Sequence, residues 1–483
     1  MKRKKGFLYT IGSMAVCAAM LSACADDESF STSRGDVLAF SVDSVRLDTT
    51  FSNVPTPTAS CWVYNRSDKG IRCSSVRLEN GNQTGFRVNV DGSYLGETVG
   101  YQTQDVEVRK GDSIRVFVEL TSHVQHADVP KLVEDNLVFT LESGVQQKLN
   151  LNAYSWDALL LRDKRVSQDE VIQSSQPIVV YGGIRVDSLA TLTIAAGTRL
   201  YFHENAGVQV YGKLRVAGEQ GKEVVMRGDR IDRMFDYLPY DRTPGQWQGI
   251  QLMPSSYDNE ISYADIHSTY DGIWMHPSDV SRQKLLLQNA TVHNCQGYGV
   301  VADSVKAQIY NTQITNTLGS GLLVSGGDVE VNGSTIAQFY PFDARRQPAI
   351  NIQPPLVRLD VCNSLVTGYH DDEVVWTQPE EGDTLAFHFD HCVLRTEKMQ
   401  TEDSLKFTNV IYEDLKDTTK FGEKHFRLFD TDNLKYDFRL RSASASIGVA
   451  DPATSLPVDR NGLRRKETPS VGCYEYELEG EEE

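Results

Sequence analysis

Asp265 and His267 in the stretch ADIHS, and His293 in ATVHN, are the side chains of this sequence best suited to chemistry. Two positions separate Asp265 from His267, so on an extended strand both leave the same face. Imidazoles beside a carboxylate serve as an acid/base pair, as hydrogen-bonding groups for a sugar, or as metal ligands. No third ligand falls in phase with the two histidines, so the pattern calls for no metal. Trp274 lies between Ile273 and Met275 and is expected to point outward from the next strand, where an indole stacks on a sugar ring. Asp265, His267, His293 and Trp274 therefore form the expected ligand-binding set, bordering one groove. Trp247 in GQWQGIQL reads instead as a packed rung corner. In YHDDEVVW the acids Asp371, Asp372 and Glu373 alternate in direction and read as a solvated loop.

The elements that must hold these residues are short. NATVHNCQGYGV at 289–300 and NTQITNTLGSGL at 311–322 share one skeleton at an offset of 311 minus 289, or 22 residues. Ile266, Val292, Ile314, Ile336, Val366 and Leu394 make one apolar column at this spacing, lengthened by insertions. Ile273, Val300, Leu322, Ile350 and Val374 make a second column in the same phase. Two columns in phase predict strands coiled into rungs, each apolar residue stacked about 4.8 Å above its equivalent. Asn294 and Asn316 are expected to turn the corners as an amide ladder, and the glycines to admit the bends. Ile314 should be buried and Thr315 should face outward.

Upstream, residues 36–157 alternate in short β-like runs separated by turn residues, the pattern of an antiparallel β-sandwich. Within it, CWVYNRSDKGIRC reads as a hairpin with Cys61 opposite Cys73, either bridged or as two buried thiols. SWDALLLRDKRVSQDE reads as a short link into the repeat region. The fold expected is all-β: a sandwich followed by a parallel β-helix solenoid. No Cys/His spacing suggests structural zinc.

The N-terminus has a basic start (Lys2, Arg3, Lys4, Lys5), a short apolar run and small residues before Cys24, the layout of a signal peptide over residues 1–23. Leu21-Ser22-Ala23-Cys24 resembles a bacterial lipobox, which implies acylation of Cys24. Asp26, Asp27 and Glu28, in an acidic tether over 24–35, resemble the surface-export signal of some Gram-negative lipoproteins. An outer-membrane lipoprotein exposed on the cell surface, contacting the membrane through its anchor, is the expected address. The formal net charge is −18, and removing the four positive residues of the signal gives −18 minus 4, or −22. Such a body does not bind nucleic acid through its field and disfavours polyanionic glycans.

GTRLYF with GVQVYGKLRVAGEQGKEVVM, then GQWQGIQL, resemble the opening rungs of bacterial right-handed parallel β-helix lipoproteins. DRNGLRRKETPSVGCYEYE resembles the terminal sequence of that family through Asp459, Gly462, Arg464, Gly472, Tyr474 and Glu475, with Cys473 where alanine is common. The resemblance covers about residues 165–477, ahead of an acidic tail at 478–483, and implies that the terminal segment caps the open end of the coil. The sandwich is similar to the immunoglobulin-like modules that precede repeat domains in surface lipoproteins. Related folds include polysaccharide lyases and glycoside hydrolases, which implies a role with carbohydrate. A hydrolase-like acid pair is missing, and a lyase-like site would need aspartates for calcium with a neighbouring base. The expectation is a non-catalytic lipoprotein, without a cofactor, that binds glycan or a cell-envelope protein. The alternative is a lyase or hydrolase, with calcium if a lyase.

Overall fold

A computed structural model describes residues 29–235, 237–400 and 402–478. Residues 1–23, Cys24, Asp26, Asp27, Glu28 and the tail at 479–483 lie outside the described residues. The chain divides between Asp157 and Ala158 into two compact units.

The first unit is a two-sheet sandwich. One sheet orders the strands Leu38–Phe40, Ala59–Asn65, Ser113–Leu120, Phe86–Val90 and Ser93–Tyr94. The other orders Ser44–Phe51, Gln146–Trp156, Lys131–Leu141, Ile71–Leu78 and Gln102–Thr103, with Val106–Val108 also on Ile71–Leu78. Period-two alternation sets the shared core: SIRVFVEL turns Ile114, Val116, Val118 and Leu120 inward against Val63, Val76, Phe139 and Leu151. The expected hairpin between Cys61 and Cys73 is not formed. Their strands belong to opposite sheets, because each finds its pairing edge elsewhere, and both cysteines are buried free thiols.

The second unit is a parallel β-helix. Each rung of its body supplies two strands to a long, bent eighteen-strand sheet and one to a ten-strand sheet. Both expected columns form in register: Ile266 pairs with Val292, Val292 with Ile314, Ile314 with Ile336, Ile336 with Val366 and Val366 with Leu394. Ile273, Val300, Leu322, Ile350 and Val374 pair in the same way. All are sealed in the core. The coil starts before residue 165, since Leu159–Val166 already pairs with Ile178–Val186. Its charged residues hid it, because a first rung has one solvent edge that tolerates them.

Glycine precedes the inward residue of the second column on six rungs, at Gly183, Gly207, Gly249, Gly272, Gly299 and Gly321. At Gly249 the backbone has φ +77° and a Cβ would lie 1.7 Å from the Asp271 carbonyl oxygen, so only glycine fits the bend. Asn294 and Asn316 turn corners with φ of 53° and 55°. The amide ladder forms at another corner, where Asn311 Nδ2 donates to Asn289 Oδ1 at 3.2 Å, while Asn316 Oδ1 has no partner.

The C-terminal segment does not close the open end. It runs along one flank: Tyr474 Oη donates to Gln313 Oε1 at 2.8 Å, the Cys473 amide to Thr335 Oγ1 at 3.0 Å, and Asn311 Nδ2 to the Val458 carbonyl at 2.9 Å. The hairpin of Phe426–Asp430 and Lys435–Leu440 packs on the same side through Phe339, Ala337 and Leu365. The flank offers a long apolar and hydroxyl-bearing surface that a single rung end does not. Thr315 leaves the coil as expected but is covered, at 2% exposure.

Candidate functional site

Register builds the histidine cluster. His267 pairs with His293 on the next rung and Asp265 with Thr291, so one rung step and one two-residue step bring three polar side chains together. Asp265 Oδ1 lies 3.0 Å from His267 Nδ1 and 3.0 Å from His293 Nε2. The rings stack, with centroids 4.7 Å apart and planes 24° apart. Trp247, buried and stacked on Phe202 at 4.1 Å, fixes the local backbone by donating its indole N–H to the His267 carbonyl at 2.8 Å. Loss of water works against the Asp265 carboxylate, yet the two imidazoles hold it well below the usual carboxylate range. Burial lowers His267 despite the opposing pull of Asp265.

These residues are partly covered. They line a cavity of about 340 Å³ that also takes in Asp241, Arg242, Asn316, Thr315 and, from the C-terminal hairpin, Leu434, Tyr436 and Phe438. Side-chain exposure is 9% for His267, 25% for His293 and 34% for Asp265, so the flanking segment leaves the cluster a partial opening. The sequence gives no warning of this, because the covering hairpin begins more than 130 residues after His293 and carries no repeat.

Trp274 stands apart from that cavity. It is half-buried, stacked on His276 at 5.9 Å and edge-on to Tyr298 at 6.2 Å. Its register partners are what sequence reasoning missed. Arg165, Arg185, Gln209, Gln251 and Trp274 follow one another, rung upon rung, on one outward column. The signal was legible in GIRV, GVQV, GIQL and GIWM, four copies of one corner whose third residue points out. Arg165, Arg185 and Gln209 are exposed, and Gln251 is half-buried with its Oε1 2.7 Å from His276 Nε2. A groove of about 360 Å³ runs beside them, lined by Gly183, Gly207, Gly249, Asn205, Gln248 and the column itself as far as Gln251. Both arginines reach Asp187, at 2.8 and 3.5 Å, which offsets their charge. Below Trp274 the column continues as Val301 and Leu323, both covered, so the accessible stretch ends there.

Two other constellations carry no chemistry. Ser444, His425 and Glu413 form a chain, Oγ to Nδ1 at 2.7 Å and Nε2 to Oε1 at 3.0 Å, but all three are buried and Arg395 completes a lock on the flanking segment. Glu373, expected in a solvated loop, is fully buried and accepts the Ala349 and His370 amides at 2.7 and 2.8 Å, because it occupies the corner where earlier rungs have glycine. Asp371 remains exposed. The acids around His370 thus offer no cluster of oxygens for calcium.

A family model described as a right handed beta helix region matches residues 179–336. No curated protein matches the chain. Among solved structures the chain is similar to a pectate lyase, with 10% identity over 66% of this chain and 88% of that one and a TM-score of 0.32. It is also similar to the catalytic unit of a thermostable GH87 α-1,3-glucanase from Streptomyces thermodiastaticus, with 10% identity over 75% and 91% and a TM-score of 0.28. The family match and the strand register give the second unit one fold, a right-handed parallel β-helix.

Proposed function

We propose that this protein is a lipid-anchored, surface-exposed outer-membrane protein whose β-helix binds glycan without cleaving it. In chain order, an immunoglobulin-like sandwich then follows the Cys24 anchor and precedes the β-helix. One observation carries the reading: the outward column Arg165, Arg185, Gln209, Gln251 and Trp274, in register beside an open groove. Guanidinium and amide groups match the paired donors and acceptors of sugar hydroxyls, and an indole supplies an apolar face for a ring. Strand pairing fixes the spacing of their backbones, so no backbone rearrangement opposes binding. Asp187 offsets the arginines, and an acidic body repels polyanions, so the ligand is a neutral or weakly charged glycan.

A screen of neutral and anionic oligosaccharides against the mature protein tests this. Binding of a neutral glycan should weaken in Trp274→Ala and in Gln209→Ala with Gln251→Ala, with far-ultraviolet circular dichroism verifying that each variant is folded. Equal binding by the variants, or none by the wild type, removes the reading. Appearance of unsaturated uronate ends or new reducing ends would select a lyase or hydrolase in its place.

A further inference from the structure

The Asp265 cluster lies apart from the outward column, and its geometry points to a different ligand. We propose that His267 Nδ1, His293 Nε2 and Asp265 Oδ1 bind a divalent transition-metal ion, with zinc the best fit, whose fourth position opens into the adjoining cavity. The three donor atoms lie within 4.8 Å of one another, close enough to converge on one ion. Imidazole nitrogen favours zinc and its neighbours over calcium or magnesium, which take oxygen ligands. The scaffold is rigid: two ligands sit on one strand and the third on the strand hydrogen-bonded to it, so the site needs no rearrangement of backbone.

A second observation points the same way. Asn316, 2% exposed, lines this cavity with an Oδ1 that has no hydrogen-bond donor, and Asp241 lines it with a buried Oδ1 in the same state. Two buried acceptors without donors are costly as they stand. A water on the open fourth position of a metal supplies two O–H donors. The cations nearby leave both atoms unserved: Arg227 donates to the Gly228 and Arg230 carbonyls and pairs with the other Asp241 oxygen, Oδ2, at 3.8 Å, and Arg242 donates to the Asn433 and Leu434 carbonyls.

The test uses the mature protein stripped with a chelator, then titrated calorimetrically with zinc chloride and, in parallel, with cobalt(II) while its visible d–d bands are recorded. Wild type should take up one ion per chain, with cobalt bands typical of four-coordinate nitrogen and oxygen ligation. His293→Ala and Asp265→Asn should each weaken binding by at least about a hundredfold, more than loss of an outer-sphere partner does. His203→Ala, on a surface imidazole paired with Asp229, should bind as wild type does. His293 is partly exposed, so its replacement leaves the core intact, which far-ultraviolet circular dichroism verifies. No uptake of zinc or cobalt by the stripped wild type, or undiminished uptake by both site variants, overturns the proposal.

Discussion

Lys284 shows how far a rung bends ordinary side-chain rules. It is fully buried, its ammonium donates to the Met253 carbonyl at 2.6 Å, and burial pushes its pKa down to about 8. The unfolded chain keeps the ordinary value near 10.5, so between those values it binds more protons than the folded one. Stability from this group must therefore rise as pH climbs from 8 towards 10.5, and below 8 the full penalty stands. Comparing denaturation midpoints of wild type and Lys284→Met across this window isolates the effect from thiols and tyrosines. The wild type should gain on the variant as pH rises, and a constant difference would show that Lys284 does not titrate there. Nothing in the alternation of QKLLLQ marks such a residue, since one lysine in a strand reads as solvent-facing.

At the scale of the element, the rung was legible and its surroundings were not. Val292, Ile314 and Ile336 stack where a 22-residue period puts them, because each position of a solenoid meets its own equivalent one rung away. The period says nothing of what lies on the outer face. Thr315 was legible as outward but not as buried, since Tyr474 and the hairpin at 426–440 arrive from far along the chain without any repeat. The same blindness separated Trp274 from the two histidines, which the register alone placed on one rung. This yields a graded expectation. Ile314→Ala should cost about 2–5 kcal/mol for the cavity it leaves. Thr315→Asp should also destabilise strongly, by placing a charge under the flanking segment. Gln209→Ala, on the exposed column, should stay within about 0.5 kcal/mol of wild type. Chemical denaturation of the three variants checks the order, and a neutral Thr315→Asp would show the flank to be open in solution.

For the whole molecule, the proposed function adds a signal and an anchor, expected from the sequence, to the two β units of the structure. The anchor makes a claim of its own. Cys24→Ala should abolish fatty-acid labelling and release an unprocessed or soluble form, whereas labelling that persists would remove the reading of Cys24 as a lipoprotein anchor. Neutral replacements of Asp26, Asp27 and Glu28 should shield it from protease added to intact cells. The proposed glycan site on the outward column is a track whose length is set by its rungs. Steps of about 4.8 Å from Arg165 through Arg185, Gln209 and Gln251 to Trp274 define a linear site, not a point. The most direct measurement is the affinity of the mature protein for a neutral oligosaccharide series of increasing length. Affinity should climb with each added sugar, level off once the chain spans Arg165 to Trp274, and level off at a shorter length in Trp274→Ala. Affinity independent of length, or a plateau that the Trp274 substitution leaves unmoved, would contradict glycan binding along this face.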